Sequence, residues 1–421
     1  MPNYYGPALL EATGVFISIF LIIYLIRRSW KMYLVLLLAS LILTLTNSAD
    51  LTANMALLFS SITSYTAFYL VSMVISITLL GHLHREIGAM EQMVANLRLL
   101  IRDPRALIMF LPAAISLFSA VPGGAIISAP MVEETGRELK MPVVEQAMSN
   151  MVYRHLVVLI TPFNSSLILA SGITGISIAG YLSYTVPVVA VVFAITAALL
   201  FIRYRVPEKR TTAVSDQKST GKALKIILVT TLPYVLAIVL GLAGGVFFPL
   251  AVLAGITVCL FINLPGREIS LVLRERLAIL VQGFNWPLAL STLTIVIYKD
   301  FMLEAESFQQ SVHYLVDLGL PLTVLLVGLP FITGFITGNN AASLGIALPI
   351  LIPFLGPDML SVRYFGIVYL SSYAGYFGSP IHLCTYVTNE YFKTPLYTLV
   401  KQVNIYGAIM LVVGLIMALF Y

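Results

Sequence analysis

The sequence predicts an all-α polytopic membrane protein made of two inverted five-span halves, each with a re-entrant hairpin and a broken helix. Three observations predict it. First, 59% of the 421 residues are hydrophobic and only 10% are charged, against about 25% charged in an ordinary soluble domain, and apolar runs of spanning length recur from end to end. Second, two apolar stretches cannot run as continuous helices: Thr161-Pro162-Phe163-Asn164-Ser165-Ser166, and the run from Ser371 to Thr385 that contains Gly375, Gly378 and Pro380. Inside a helix glycine is worse than alanine by about 1 kcal/mol and proline by about 3 kcal/mol, and Pro380 also disfavours helical backbone at Ser379. Third, the two breaks lie 218 residues apart, and each follows a Gly- or Asn-rich interruption at the same distance: Pro122 is 40 residues before Pro162, and Asn340 is 40 before Pro380. A pattern duplicated in this way reads as an internal repeat.

Taken in order, span one covers about residues 8–26 and span two about 32–45, with Arg27, Arg28 and Lys31 between them. Basic connections belong to the cytoplasmic side, so the N-terminus is expected outside. The connection over 46–61 holds Asp50 and no Lys or Arg, and reads as an external loop. Span three (about 64–80) returns to a cytoplasmic stretch with His82, His84, Arg85, Arg98, Arg102 and Arg105, whose amphipathic part over 90–100 reads as interfacial. A hairpin over about 107–132, split at Pro112 and at Pro122-Gly123-Gly124, enters and leaves on the cytoplasmic side. Broken span four (about 143–171) and span five (about 178–201) complete the first repeat, residues 1–202. Residues 203–225, rich in Arg and Lys, form a cytoplasmic linker. The second repeat, 226–421, holds spans six (226–242), seven (248–263) and eight (277–297), an acidic external loop around Glu304, a hairpin over about 321–354, broken span nine, and span ten (396–420), which ends outside. Loop charge and repeat spacing thus agree on ten crossings in two opposed halves.

Helix breaks inside a bilayer are tolerated only where protein or a water-filled cavity satisfies the freed backbone. The half-helices starting near Asn164 and Ile381 aim their positive N-terminal ends at mid-membrane, a setting for an anion. Carbonyls at the preceding ends, with Asn and Ser oxygens, suit a small cation such as sodium. The candidate substrate-binding residues are Pro122, Gly123, Gly124, Asn164, Ser165, Ser166, Thr337, Gly338, Asn339, Asn340, Ser343, Ser379, His382 and Thr385; the candidate cation-binding residues are Thr161, Asn164, Asn339 and Gly378. Simple packing kinks would explain one break, whereas four interruptions in register favour a site. Arg154 is expected to pair with Glu145 or to snorkel, Glu11 to be a solvated interfacial carboxylate, and Trp286-Pro287 to mark a kink.

The net charge of +5 resides in loops and calls for no nucleic-acid partner; Cys259 and Cys384 are too few for a disulfide framework or a zinc motif. The first apolar segment has its basic residues after it, the reverse of a signal peptide. Walker A, HExxH, GxSxG and dinucleotide-binding patterns are absent from the sequence. The enzyme alternative is an intramembrane hydrolase using Ser379 and His382, which lie on one turn and would leave the repeat without a role.

This architecture resembles the ion transporter superfamily, which includes divalent anion/sodium symporters, citrate and gluconate permeases, arsenite permease and sodium/proton antiporters. Gly378-Ser379-Pro380-Ile381-His382-Leu383-Cys384 is similar to a segment of an uncharacterised prokaryotic family of about ten spans. The resemblance implies hairpins with small polar motifs, elevator-like motion of a transport domain against a scaffold, and a homodimer. The symporters' Ser-Asn-Thr hairpin motif is not present as such. The expectation is a plasma-membrane secondary transporter of a small, organic anion, coupled to sodium or protons and needing no cofactor. A sodium/proton antiporter is the alternative; it needs a titratable group near mid-membrane, and His382 is the one such group in the site segments.

Overall fold

The structure is a computed structural model that describes residues 5–421 apart from 29, 48–49, 119–123, 207–216, 265, 267, 305–320 and 356–360. Every regular element among the described residues is helical. The polarity is that of a membrane protein: apolar side chains such as Phe16, Phe20, Leu232 and Val412 face outward, while Asn150, Arg154, His155, Ser343, Ser372 and His382 are buried. Backbone and side-chain polar groups therefore meet one another inside, where lipid offers them nothing.

In the first half, α1 (Tyr5–Arg27), α2 (Met32–Thr46), α3 (Leu51–Thr63), α4 (Tyr65–Glu86) and α5 (Ala89–Leu100) precede a helical hairpin, α6 (Pro104–Phe118) and α7 (Gly124–Glu138). The broken helix follows as α8 (Val143–Ile160) and α9 (Ser165–Thr174), then α10 (Ile178–Arg203). The second half runs α11 (Gln217–Ile238), which ends in a π-helical turn over Val239–Ala243, α12 (Phe248–Phe261), α13 (Ile269–Gln282) and α14 (Trp286–Leu303). Its hairpin is α15 (Leu322–Thr337) and α16 (Asn340–Leu351), its broken helix α17 (Val362–Gly378) and α18 (Leu383–Phe392), and its last helix α19 (Leu396–Met417).

The two halves use equivalent partners. Helix α1 packs on α2 as α11 packs on α12; α2 meets α14 as α12 meets α4; α3 meets α14 as α13 meets α4. Each second half-helix crosses to the other half's hairpin, α9 onto α16 and α18 onto α7. Residues one repeat apart even touch: the Tyr373 hydroxyl donates to the His155 carbonyl at 2.7 Å across a separation of 218 residues, the offset between Pro162 and Pro380. A pair related by the repeat can meet itself only near the repeat's own two-fold axis.

Among the described residues, six stretches are long and apolar enough to cross a membrane: those within α1, α4, α8–α9, α10, α11 and α19. A seventh is the α13–α14 pair, bent by 46°. Length and composition alone therefore single out fewer helices than the ten crossings read from the sequence. Helices α2 and α12, with 15 and 14 residues, are about 22 Å long at 1.5 Å per residue, short of a hydrocarbon core of about 30 Å. Broken span nine is likewise outside the set of helices long and apolar enough to cross. The supposed external loop over 46–61 contains α3, because Asp50 caps it through a hydrogen bond from the Ala53 amide at 2.7 Å. Span eight is two helices: the chain turns at Gly283, and Asn285 caps α14 by accepting from the Leu288 amide at 3.1 Å. Pro287 therefore sits in the first turn of α14, where proline is tolerated. Helix α5 lies where the amphipathic segment is expected and buries Ala89, Met90, Met93 and Val94 on one stripe.

Candidate functional site

At the first break, Pro162 stops α8 and Asn164 rebuilds the chain as α9. The Asn164 Oδ1 accepts from the Ser166 amide at 2.9 Å, while its Nδ2 donates to the Val158 carbonyl at 3.0 Å and to the Tyr369 hydroxyl at 3.3 Å. One side chain thus satisfies backbone groups on both sides of the break. Opposite, α4, α11 and the α13–α14 bend leave a cavity of about 200 Å³ whose lining includes Thr78, His82, Arg85, Phe163, Ser165, Tyr234 and Asn285.

The polar part of this lining includes several donors. Arg85 Nη2 lies 3.1 Å from His82 Nδ1. Because a guanidinium only donates, Nδ1 is the acceptor and Nε2 carries the His82 proton. Arg85 Nε also meets Glu86 at 3.3 Å. Ser165 opens α9, so the positive end of that helix faces the cavity. Asn285 uses Oδ1 to cap α14 and keeps its amide nitrogen as a donor. The residues lining the cavity include no Asp or Glu.

The second break is packed. Helix α17 ends at Gly378, whose carbonyl accepts from Asn404 Nδ2 at 2.9 Å, and Ser379 donates to the Phe335 carbonyl at 2.7 Å. The hairpin tip seats directly on it: Gly338 has φ of 58°, and a Cβ there would lie 2.8 Å from the Ile381 side chain and 3.1 Å from the His382 amide. Here only glycine combines the left-handed backbone with so close an approach. His382 precedes α18 and is 2% exposed; apart from a hydrogen bond to the Phe377 carbonyl that falls outside ordinary geometry, neither ring nitrogen has a partner. Its ring lies 4.0 Å from that of Tyr376 and 4.9 Å, edge on, from that of His155. His155 Nδ1 is 2.7 Å from the Met151 carbonyl. The ligating atoms of His155, His382 and Cys384 all lie within 4.8 Å of one another, and Arg154 hydrogen-bonds to Cys384.

The sequence-derived site residues therefore fall in two places. Ser165 lines the cavity and Asn164 holds its edge, with Ser166 buried behind it; Gly338, Ser379, His382 and Thr385 gather at the second break. Asn340 is buried and accepts from Ser372 at 2.6 Å, Ser343 donates to the Pro330 carbonyl at 2.9 Å, and Thr337 donates to Thr333 at 2.6 Å. Asn339 caps α16 through the Ala342 amide at 3.0 Å, and Thr161 donates to the Val157 carbonyl at 2.7 Å. Gly124 begins α7, while Pro122 and Gly123 lie outside the described residues. A row of tyrosines links the two places: Asn164 touches Tyr369, and rings follow through Tyr373 and Tyr376 to His382 at centroid distances of 6.4, 5.6 and 4.0 Å.

Three expectations are corrected. Arg154 is 2% exposed and lies at the second break, while Glu145 pairs with Arg203 at 2.7 Å and with the Tyr204 hydroxyl. Glu11 is buried, at 6% exposure, beside Thr46, Asn47 and Phe301. Trp286-Pro287 marks a helix start. Sequence reasoning passed over Thr78 and Asn285, gave Arg154 and Cys384 no part in a site, and placed His82 and Arg85 in a cytoplasmic stretch. The Asn285-Trp286-Pro287 run was the one legible signal, since Asn followed by proline within the next two residues is a helix-start pattern.

Comparison with curated proteins gives no match. Among solved structures, the fold is similar to that of the YdaH transporter of Alcanivorax borkumensis, described as having an unusual topology, with a TM-score of 0.59 at 14% identity over 95% of this chain and 98% of that one. The family described as protein of unknown function (DUF401) matches residues 12–420, nearly the whole chain, and this protein belongs to it.

Proposed function

We propose that this protein is a secondary active transporter of a small organic anion, a carboxylate bound in the cavity at the first break. The observation that carries the reading is the lining of that cavity: Arg85, His82, Asn285 and the start of α9 all present positive charge or hydrogen-bond donors, with no carboxylate among the lining residues. Donors of this kind recognise a carboxylate or another oxyanion. The similarity in fold to a protein described as a transporter supports transport as the use of such a site.

On this reading the hairpins, broken helices and α10 and α19 form the transport unit, which moves in elevator fashion against α1–α5 and α11–α14. The cavity lies between the two groups, so motion of one against the other would open it to alternate sides. Sodium or protons are the proposed coupling ions, and a homodimer in the plasma membrane, with both termini outside, is the proposed assembly. Bare sodium/proton exchange is disfavoured because it calls for a titratable group, commonly a carboxylate, in the ion path, and the cavity lining includes no Asp or Glu. The Ser379 hydroxyl donates to the Phe335 carbonyl instead of to His382, which argues against a hydrolytic pair.

Uptake into proteoliposomes tests the proposal, with a panel of mono- and dicarboxylates offered under a sodium gradient and a proton gradient in turn. Accumulation of at least one carboxylate is expected. Arg85→Gln should raise its KM by about 10- to 100-fold, since a hydrogen bond to a charged group is worth about 1.5–3 kcal/mol. No accumulation of any carboxylate under either gradient would refute the reading.

A further inference from the structure

The second break holds an arrangement that the anion reading does not use. His155 and His382 are each 2% exposed, Cys384 is 5% exposed, and their ligating atoms lie within 4.8 Å of one another. The three come from both halves of the chain, on α8 and at the start of α18. A buried imidazole with two unsatisfied nitrogens is unfavourable, because its lone pair and its N–H have both left water without compensation. His382 comes close to that position: the Phe377 carbonyl is a partner for one ring nitrogen, but outside ordinary hydrogen-bond geometry, and the other nitrogen has none. His155 is oriented differently: a carbonyl can only accept, so the Met151 carbonyl at 2.7 Å fixes the proton on Nδ1 and leaves the Nε2 lone pair free. A histidine that donates one ring N–H to a backbone carbonyl while offering the other nitrogen is the usual outer-shell pattern of a metal ligand.

We propose that His155, His382 and Cys384 form a binding site for one soft monovalent metal ion, copper(I) or its analogue silver(I). Imidazole and thiolate ligands favour soft and borderline transition metals over sodium, magnesium or calcium. Metal–ligand bonds of about 2.0–2.3 Å bring three such atoms to about 3.5–4 Å apart, so the observed spacing of up to 4.8 Å needs a contraction of about 1 Å. Charge selects the valence. Binding converts the Cys384 thiol to a thiolate and releases its proton, so a monovalent ion adds no net charge to the site. A divalent ion would add one positive charge beside the Arg154 guanidinium, which already hydrogen-bonds to Cys384. The rings of Tyr376 and Phe377, at 4.0 Å from His382 and 5.0 Å from His155, wall the site from water. An ion there would tie α8 to α18. The proposal stands independently of the anion cavity.

The test is competition for copper(I) between a chromophoric chelator and the purified full-length protein, in a Cys259→Ala background so that Cys384 is the only thiol. One copper(I) per chain is expected, with affinity reduced at least 100-fold by Cys384→Ser and at least 10-fold by His382→Gln. Melting measured without metal checks that each variant is folded. Saturating silver(I) should raise the melting temperature of the parent and leave that of Cys384→Ser unchanged, by mass action on the folded state. His155→Gln gives a second route to the same answer if Cys384→Ser is unstable. No copper(I) bound, or binding that survives Cys384→Ser unchanged, overturns the proposal; binding of zinc through Cys384 in preference to copper(I) overturns the valence argument.

Discussion

Gly375 shows how little freedom the second broken helix has. A Cβ built at this residue would lie 2.0 Å from the Phe331 carbonyl oxygen and 2.8 Å from its carbon. Both are backbone atoms of α15, so no side-chain rotation relieves the clash, and α15 and α17 must move apart. The contact is of the small-residue kind that lets membrane helices approach closely. Gly375→Ala should destabilise the protein by about 3 kcal/mol or more, at or above the top of the usual range for overpacking, and lower its melting temperature in detergent accordingly. Gly221→Ala, on α11 with nothing within 4 Å, is the control and should be neutral or slightly stabilising. Equal behaviour of the two variants would refute this account. The need for a small residue in this segment is legible in the sequence, and its reason is not: the partner backbone lies 44 residues away. Arg154 is the same problem at its sharpest. A basic residue in the cytoplasmic half of a predicted span reads as a snorkelling or ion-paired side chain, and only its burial, with α8 packed against α18, shows that its guanidinium stays inside.

Elements were most legible where proline, glycine and asparagine interrupt apolar runs. Both helix breaks and the Gly338-Asn339 hairpin tip fall where those residues predict, because the backbone reasons are local. Helix α3 and the α13–α14 bend were missed because their caps, Asp50 and Asn285, sit in runs that average as a loop or as one span. Helix α12 carries a further lesson: its end is held by a side chain from the next element. Arg276 is 4% exposed and donates to the carbonyls of Cys259, Leu260, Ile262 and Asn263 at 3.3, 2.8, 2.6 and 3.0 Å. These are the C-terminal acceptors that a helix cannot pair for itself, and a cation there also complements the dipole. Arg276→Met should therefore loosen the end of α12 while leaving α13's apolar stem in place. Cys259 is fully buried and reports this directly. In a Cys384→Ser background its modification by a permeant maleimide should speed up at least 10-fold in Arg276→Met, as about 1.4 kcal/mol of easier local opening allows. An unchanged rate would mean that the four hydrogen bonds do not hold this end.

At the scale of the whole molecule, the repeat is carried by packing as well as by spacing. Helices α2 and α12 occupy equivalent places, against α14 and α4 respectively, and both are too short to cross a bilayer of ordinary thickness. A protein with two such helices in its scaffold either thins the membrane locally or covers their ends with α3 and α13, which meet α14 and α4. Which side each end faces follows from charge. Arg27 and Arg28 close α1, and Arg203 closes α10 at the edge of the basic linker, whereas Lys299 is matched by Asp300 at 2.7 Å near the end of α14, just before Glu304. By the positive-inside rule, the expected outcome is that the first group is cytoplasmic and the second external. Three single cysteines, Arg27→Cys, Lys222→Cys and Glu304→Cys, in a background of Cys259→Ala and Cys384→Ser, test it in sealed cells. An impermeant maleimide should label the Glu304→Cys protein from outside and the other two only after permeabilisation. If Lys222→Cys is labelled in sealed cells while Glu304→Cys is protected, the orientation is reversed. If all three label alike, the two ends of the repeat lie on one side, and the opposed arrangement of the halves fails with the topology.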